Sequence, residues 1–252
     1  MDFNMSLLLL AAGIVGGLVN AFAGGATLIT FPAMLAAGLP AITANASNAV
    51  AISPGHLIAA LADREKLPAL TKRTASFIVV ATLGGATGAG LLLLLPERLF
   101  ILPVPGLIAF STLLFALAPR IQKWSYNSQG PLLPTGLSAA FLGVACIYGG
   151  FFGAGLGVIL TAVLSITEPD DIRAIKAMKN LLATCVALIA TIIFIVQGAV
   201  RWPETIVMLL GAVIGGYGGG YLIRVLPAFY VRQFVILAGV VMTVIYADKY
   251  WF

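Results

Sequence analysis

Asn20, Thr27 and Thr30 stand in an otherwise apolar N-terminal stretch, "NAFAGGATLITFP" (Asn20 to Pro32), around a pair of glycines. Short polar side chains beside glycine in such a stretch supply hydrogen bonds and free backbone donors rather than acid–base chemistry. "TANASN" (Thr43 to Asn48) then places four hydrogen-bonding side chains on little more than one helical turn. In "IKAMKN", Lys176, Lys179 and Asn180 fall at i, i+3 and i+4, on one helix face. A lysine pair there can neutralise an anion, or can anchor a helix end by snorkelling to headgroups. His56, the only histidine, is the residue type suited to relaying protons near neutral pH, but a satisfied interior histidine is the simpler reading. Cys146 and Cys185 form neither a CxxC nor a metal spacing and read as core thiols. The lone histidine is followed by Leu57, so HExxH is absent, and so is GxSxG. Asp63, Glu65, Glu97, Glu168, Asp170, Asp171, Glu204 and Asp248 are expected in loops and Asp2 at the terminus, which leaves no carboxylate chain for protons. No catalytic residue, metal or cofactor is expected.

The elements that carry these residues are membrane segments. With 61% hydrophobic and 9% charged residues over 252 positions, the chain has too little polar surface to cover a water-soluble globule. Its mean hydropathy is +1.07. Apolar segments recur from end to end between short polar breaks, the pattern of a polytopic helical bundle. The N-terminus "MDFNMSLLLL" has no basic residue and is expected to stay as the first membrane segment rather than be cleaved as a signal peptide. The net charge of +5 is scattered through membrane-flanking breaks and makes no patch for nucleic acid.

The second half overlays the first. "AGGATLITFPAML" from Ala23 aligns with "FGAGLGVILTAVL" from Phe152, and Pro40 with Pro169, at an offset of 129. "NAVA" from Asn48 meets "NLLA" from Asn180 at 132; "LGGATGAG" from Leu83 meets "IGGYGGGY" from Ile214, and Pro96 meets Pro227, at 131. The order and near-constant offset predict a duplication: a first repeat over 1–120, a polar linker over 121–131 and a second repeat over 132–252. Each repeat reads as five segments: 5–22, 26–38, 43–62, 74–95 and 99–118, then 132–149, 154–167, 180–198, 204–223 and 229–247. An odd number inverts the second repeat. If the first two segments of each repeat form a hairpin and the 63–73 loop is cytoplasmic, then Arg64, Lys66, Lys72, Arg73, Arg120, Lys123, Arg173, Lys176, Lys179, Arg224 and Arg232 are cytoplasmic. That leaves three of the 14 basic residues, Arg98, Arg201 and Lys249, outside. Parallel four-span halves would put only eight inside. The inverted arrangement follows, with both termini outside.

Segment 26–38 would reach roughly 20 Å as a helix and cannot cross a hydrocarbon core of about 30 Å. Its counterpart 154–167 is little longer. Both are expected to be re-entrant or half helices entered through glycine-rich tips, Ala23 to Ala26 and Gly149 to Gly155. Such tips present helix N-terminal N–H groups inside the membrane, where lipid offers no partner. Paired short segments interrupted by glycine at matching positions point to a transporter's binding site, and their N-terminal dipole ends favour an anion. The expected substrate-binding residues are Asn20, Gly24, Gly25, Ala26, Thr27, Ser47, Asn48, Gly153, Ala154, Gly155, Lys176, Lys179 and Asn180. By contrast Gly84/Gly88 and Gly215/Gly219, at GxxxG spacing inside long segments, are expected to serve close helix packing.

A glycine-rich break followed by "LITFPAML", a Gly-Xaa-Pro, "TANASN" and a second copy of the same plan resemble the sulfite exporter TauE/SafE family, also called the 4-toluene sulfonate uptake permease family. The resemblance covers nearly the whole chain. It implies a bacterial inner-membrane transporter of small sulfur-containing or organic anions such as sulfite, thiosulfate, sulfoacetate or sulfonates. The second copy departs from the pattern where Thr161 matches Pro32 and where the lysine pair replaces the small polar run. The expectation is an all-α membrane protein of two inverted five-segment repeats, exporting a small anion by alternating access. Its partners are that anion and the lipid bilayer, with a homodimer left open. An intramembrane enzyme lacks its motifs, and a non-transporting scaffold has no need of unsatisfied backbone at the midplane.

Overall fold

The computed structural model describes residues 2–67, 69–127, 135–167, 172–222 and 227–252. Among these residues all regular structure is helical: α1 (Phe3–Ala23), α2 (Thr27–Ala36), α3 (Ala41–Ala62), α4 (Lys72–Leu94), α5 (Glu97–Ile101), α6 (Val104–Asn127), α7 (Thr135–Phe151), α8 (Leu156–Thr167), α9 (Ile172–Val196), α10 (Trp202–Leu222) and α11 (Ala228–Trp251), with a 3-10 turn at Arg64–Lys66. Among the described residues five stretches are long and apolar enough to cross a bilayer: Phe3–Ala21, Lys72–Leu94, Glu97–Ile121, Arg173–Val196 and Phe229–Trp251. The chain is a multi-pass membrane protein. Large apolar side chains such as Leu83, Leu94, Ile214, Tyr217 and Leu237 point outward, as a lipid-facing surface requires.

Three expectations about the elements change. The segment expected over 99–118 is two helices, because the chain turns at Leu102 and Pro103 between α5 and α6. The second of these runs on to Asn127, into the stretch expected as linker. Helix α9 starts at Ile172 rather than at 180 and so carries Lys176, Lys179 and Asn180, whose spacing puts them on one helix face; lysine stems are apolar enough to run along one. The carboxylates are also less peripheral than expected. Asp63 caps the end of α3 and is buried, and Glu97 and Glu204 lie in the first turns of α5 and α10. The Glu97 carboxylate accepts hydrogen bonds from the backbone N–H groups of Ala41 and Ile42, the free donors at the start of α3. Pro169, part of the expected linker and Arg224 lie outside the described residues.

The helices pack in matched pairs. α1 lies along α10 and α7 along α4, while α3 packs on α9 and α6 on α11. The short α2 sits against α1, α3 and α11, and the short α8 against α7, α9 and α6. Small residues make the two longest contacts possible. A Cβ at Gly84 would lie 2.7 Å from the Cβ of Cys146, and one at Gly88 would strike the Ile147 carbonyl oxygen. On the other seam Gly215 lies against the Ile14 carbonyl, and a Cβ at Gly219 would come within 3.2 Å of the Leu18 Cα. The GxxxG pairs therefore bring helix backbones into direct contact, which is how helices associate where lipid is as apolar as leucine. Cys146 is fully buried in the α4–α7 seam, and both cysteines are free thiols.

Candidate functional site

Both short helices follow a broken one. Helix α1 stops at Gly24, whose φ of 72° is left-handed and whose N–H donates to the Asn20 carbonyl at 3.1 Å. Three residues later, at Thr27, α2 begins. Helix α7 stops at Phe151, and the chain passes through Gly153 (φ 79°) and Gly155 (φ 80°) before α8 begins at Leu156. Glycine adopts these angles without the Cβ clash that other residues meet. The freed backbone of the second tip is held by side chains: the Ala154 carbonyl accepts from Tyr148 Oη at 2.7 Å and from Ser111 Oγ at 3.1 Å. At the first tip Gly25 lies against the ring of Phe115, 2.7 Å from where its Cβ would stand, and the Ala26 carbonyl accepts from Thr30 Oγ1 at 3.0 Å.

A cavity of about 40 Å³ lies between α3, α9, the first residue of α2 and the second tip. Thr27 borders it from the first turn of α2, Gly149, Gly150 and Gly153 from the end of α7, and Leu156 from the start of α8. Helix α3 contributes Asn45, Asn48 and His56, while Val186, Ala190 and Phe194 of α9 form an apolar wall. At roughly 10–15 Å³ per water this space holds a few waters or one small ion. Asn45 Nδ2 donates to the Phe151 carbonyl at 2.9 Å and so ties α3 to the broken end of α7. Asn45 and Asn48 are 2% and 1% exposed, and the side-chain oxygens of both lack a hydrogen-bond partner among the described residues.

Of the residues expected to bind substrate, Thr27, Asn48 and Gly153 line this cavity. Gly24, Gly25, Ala26, Ala154 and Gly155 form the tips just described. Asn20 lies beside Gly55 of α3, its Nδ2 2.7 Å from the position of a Cβ there. Ser47 faces the connection that leads into α10, where its Oγ accepts from the Arg201 N–H at 3.0 Å. The remaining three gather at the opposite end of the α3–α9 pair. Asn180 donates to Asp63 Oδ2 at 2.8 Å, Lys176 lies 3.8 Å from the same oxygen, and Lys179 runs beside Gly157. Asn48 and Asn180, equivalent in the overlay, thus have different surroundings. Asn45 and His56 line the cavity without having been expected there; the signal for Asn45 was its i, i−3 relation to Asn48, which puts both on one helix face.

The profile of the sulfite exporter TauE/SafE family matches residues 9–246. The chain belongs to that family. Similar members carry transporter names: a probable membrane transporter protein of Haemophilus influenzae is 29% identical over the whole of this chain and 99% of its own length. The probable membrane transporter protein YfcA of Escherichia coli is 26% identical over 96% of this chain and 90% of its own. Another probable membrane transporter protein, from a Sinorhizobium species, is 22% identical over 96% of this chain and 92% of its own. No solved structure matches the chain. This TauE/SafE member is thus a membrane-transporter homologue along its full length, and its broken helices and cavity fall inside the matched region.

Proposed function

We propose that the protein exports a small sulfur-containing or organic anion, such as sulfite, thiosulfate or a sulfonate, across the bacterial inner membrane by alternating access. The observation that carries this reading is the cavity bordered by the N-terminal turns of two short helices, at Thr27 and at Gly153 to Leu156. Helix N-termini concentrate free N–H donors and a positive dipole end, which attract an anion in a site without water. The cavity volume of about 40 Å³ suits an ion of a few heavy atoms better than an extended substrate. The family name supports a sulfur oxyanion.

The two halves are inverted repeats in this reading, with both termini outside. The duplication behind it is supported by the packing, where every major pair has a counterpart when the helices of one half are exchanged for those of the other: α1–α10 with α7–α4, α2–α11 with α8–α6. The α3–α9 pair forms the crossing between the halves, held near one end by Asp63 with Asn180, while at the other end of α3 Ser47 accepts from Arg201 just before α10. Rocking the halves about this crossing would open the cavity to either side in turn. The test is thermal unfolding of the purified protein with sulfite, thiosulfate, sulfate, sulfoacetate and chloride, followed by flux of any stabilising anion in liposomes. A saturable midpoint rise and flux with a sulfur oxyanion are expected; no response to any of the panel would refute the anion reading.

A further inference from the structure

We infer that the same cavity holds a small alkali cation, of sodium size, coordinated by the side-chain oxygens of Asn45 and Asn48. The hydrogen bond from Asn45 Nδ2 to the Phe151 carbonyl fixes that amide's orientation, because a carbonyl only accepts and the nitrogen must face it. The Asn45 oxygen is thereby turned away from Phe151, and it has no donor among the described residues; nor has the Asn48 oxygen. Both residues are almost completely buried. A buried acceptor left unpaired is disfavoured, and two of them three residues apart on one helix face, in residues that line one cavity, call for a shared electropositive partner.

The surroundings select a monovalent cation. Helix α7 ends at this cavity through Gly149 and Gly150, so its C-terminal, negative dipole end borders the site. Broken helices in transporters use such C-terminal ends and side-chain oxygens for the coupling cation, and the N-terminal ends for the anionic group. The described lining residues include no carboxylate, and neutral oxygens without one suit sodium rather than calcium or magnesium, which take carboxylate ligands. Imidazole and thiolate, which select transition metals, are represented in the lining by His56 alone. The cavity has room for one small ion, so the inference rests on the proposed function only in that cation and anion would occupy the site in turn; the cation site itself is argued from the two amides.

The deciding experiment is thermal unfolding of the full chain in detergent, without substrate anion, in chlorides of sodium, potassium and N-methylglucamine at equal ionic strength. A saturable midpoint rise in sodium over N-methylglucamine is expected. Asn48→Leu should abolish that rise. Equal midpoints in sodium and N-methylglucamine would overturn the inference using wild-type protein alone. A sodium rise kept in full by the Asn45→Leu and Asn48→Leu double variant would overturn it too. Titrating sulfite in N-methylglucamine chloride separates the readings: an anion response without a sodium response removes the cation site and leaves the proposed transporter intact, and the converse removes the anion.

Discussion

Gly153 and Asp63 show how far a single residue carries the argument. Gly153 holds a φ of 79° at the edge of the cavity, in a break where any Cβ also meets the Gly149 carbonyl oxygen at 2.9 Å. Gly153→Leu should cost about 1–2 kcal/mol from the left-handed backbone alone. Under the proposed function it should also abolish anion flux in protein that still reaches the membrane; flux at the wild-type rate, measured in liposomes, would remove the tip from the mechanism. Asp63 accepts from Asn180 and lies 3.6 Å and 3.8 Å from Lys66 and Lys176. Asp63→Ala leaves a buried amide without its charged acceptor and should lower stability by about 1.5–3 kcal/mol. Lys176→Met, at an exposed side chain, should change it by no more than about 1 kcal/mol. The glycine tips were legible in the sequence because few residues other than glycine adopt a left-handed angle. The partner of Asn180 was not, since Asp63 lies 117 positions away and reads locally as the end of a segment. The orientation of Asn45 is hidden for the same reason, being fixed by a carbonyl 106 positions on.

Among the elements, the two glycine seams set the bundle. Helix α4 carries an internal control, because a Cβ at Gly88 would strike the Ile147 carbonyl whereas one at Gly90 meets nothing within 4 Å. Gly88→Leu should therefore force α4 from α7 and yield aggregated or rapidly degraded protein, while Gly90→Leu should leave the size-exclusion profile and unfolding midpoint close to wild type. Equal behaviour of the two would mean that the seam is not tightly closed. The GxxxG spacing was readable because small residues four apart line up on one face. Helix ends were harder. The break at Pro103 sits in a continuous apolar run that by hydropathy alone passes for one helix, and the start of α9 was masked by lysines whose charge resembles a loop. Glu97, apparently a loop acid, instead caps α3 from 55 or more positions away. Such a cap is set by tertiary approach and leaves no local pattern.

For the whole molecule the question is how the halves lie in the membrane, and the two arrangements predict opposite sides for the same residues. With inverted halves, the connection between α9 and α10 around Gln197 is outside and the start of α9 at Arg173 is cytoplasmic. With parallel four-span halves the two exchange sides. Gln197 and Arg173 are both exposed, so each accepts a cysteine without disturbing packing. On a Cys146→Ala, Cys185→Ala background, a membrane-impermeant maleimide applied to intact cells should label Gln197→Cys and spare Arg173→Cys until the membrane is permeabilised. The reverse pattern would favour parallel halves and remove the pseudo-symmetry on which the rocking motion depends. In the packing each half's first helix lies against the other half's fourth, α1 along α10 and α7 along α4, an exchange that either orientation of the halves allows. Each seam therefore joins the halves rather than closing one of them. The cavity takes its lining from both halves, Thr27, Asn45 and Asn48 from the first and Gly153, Leu156 and Val186 from the second, so neither half encloses it alone.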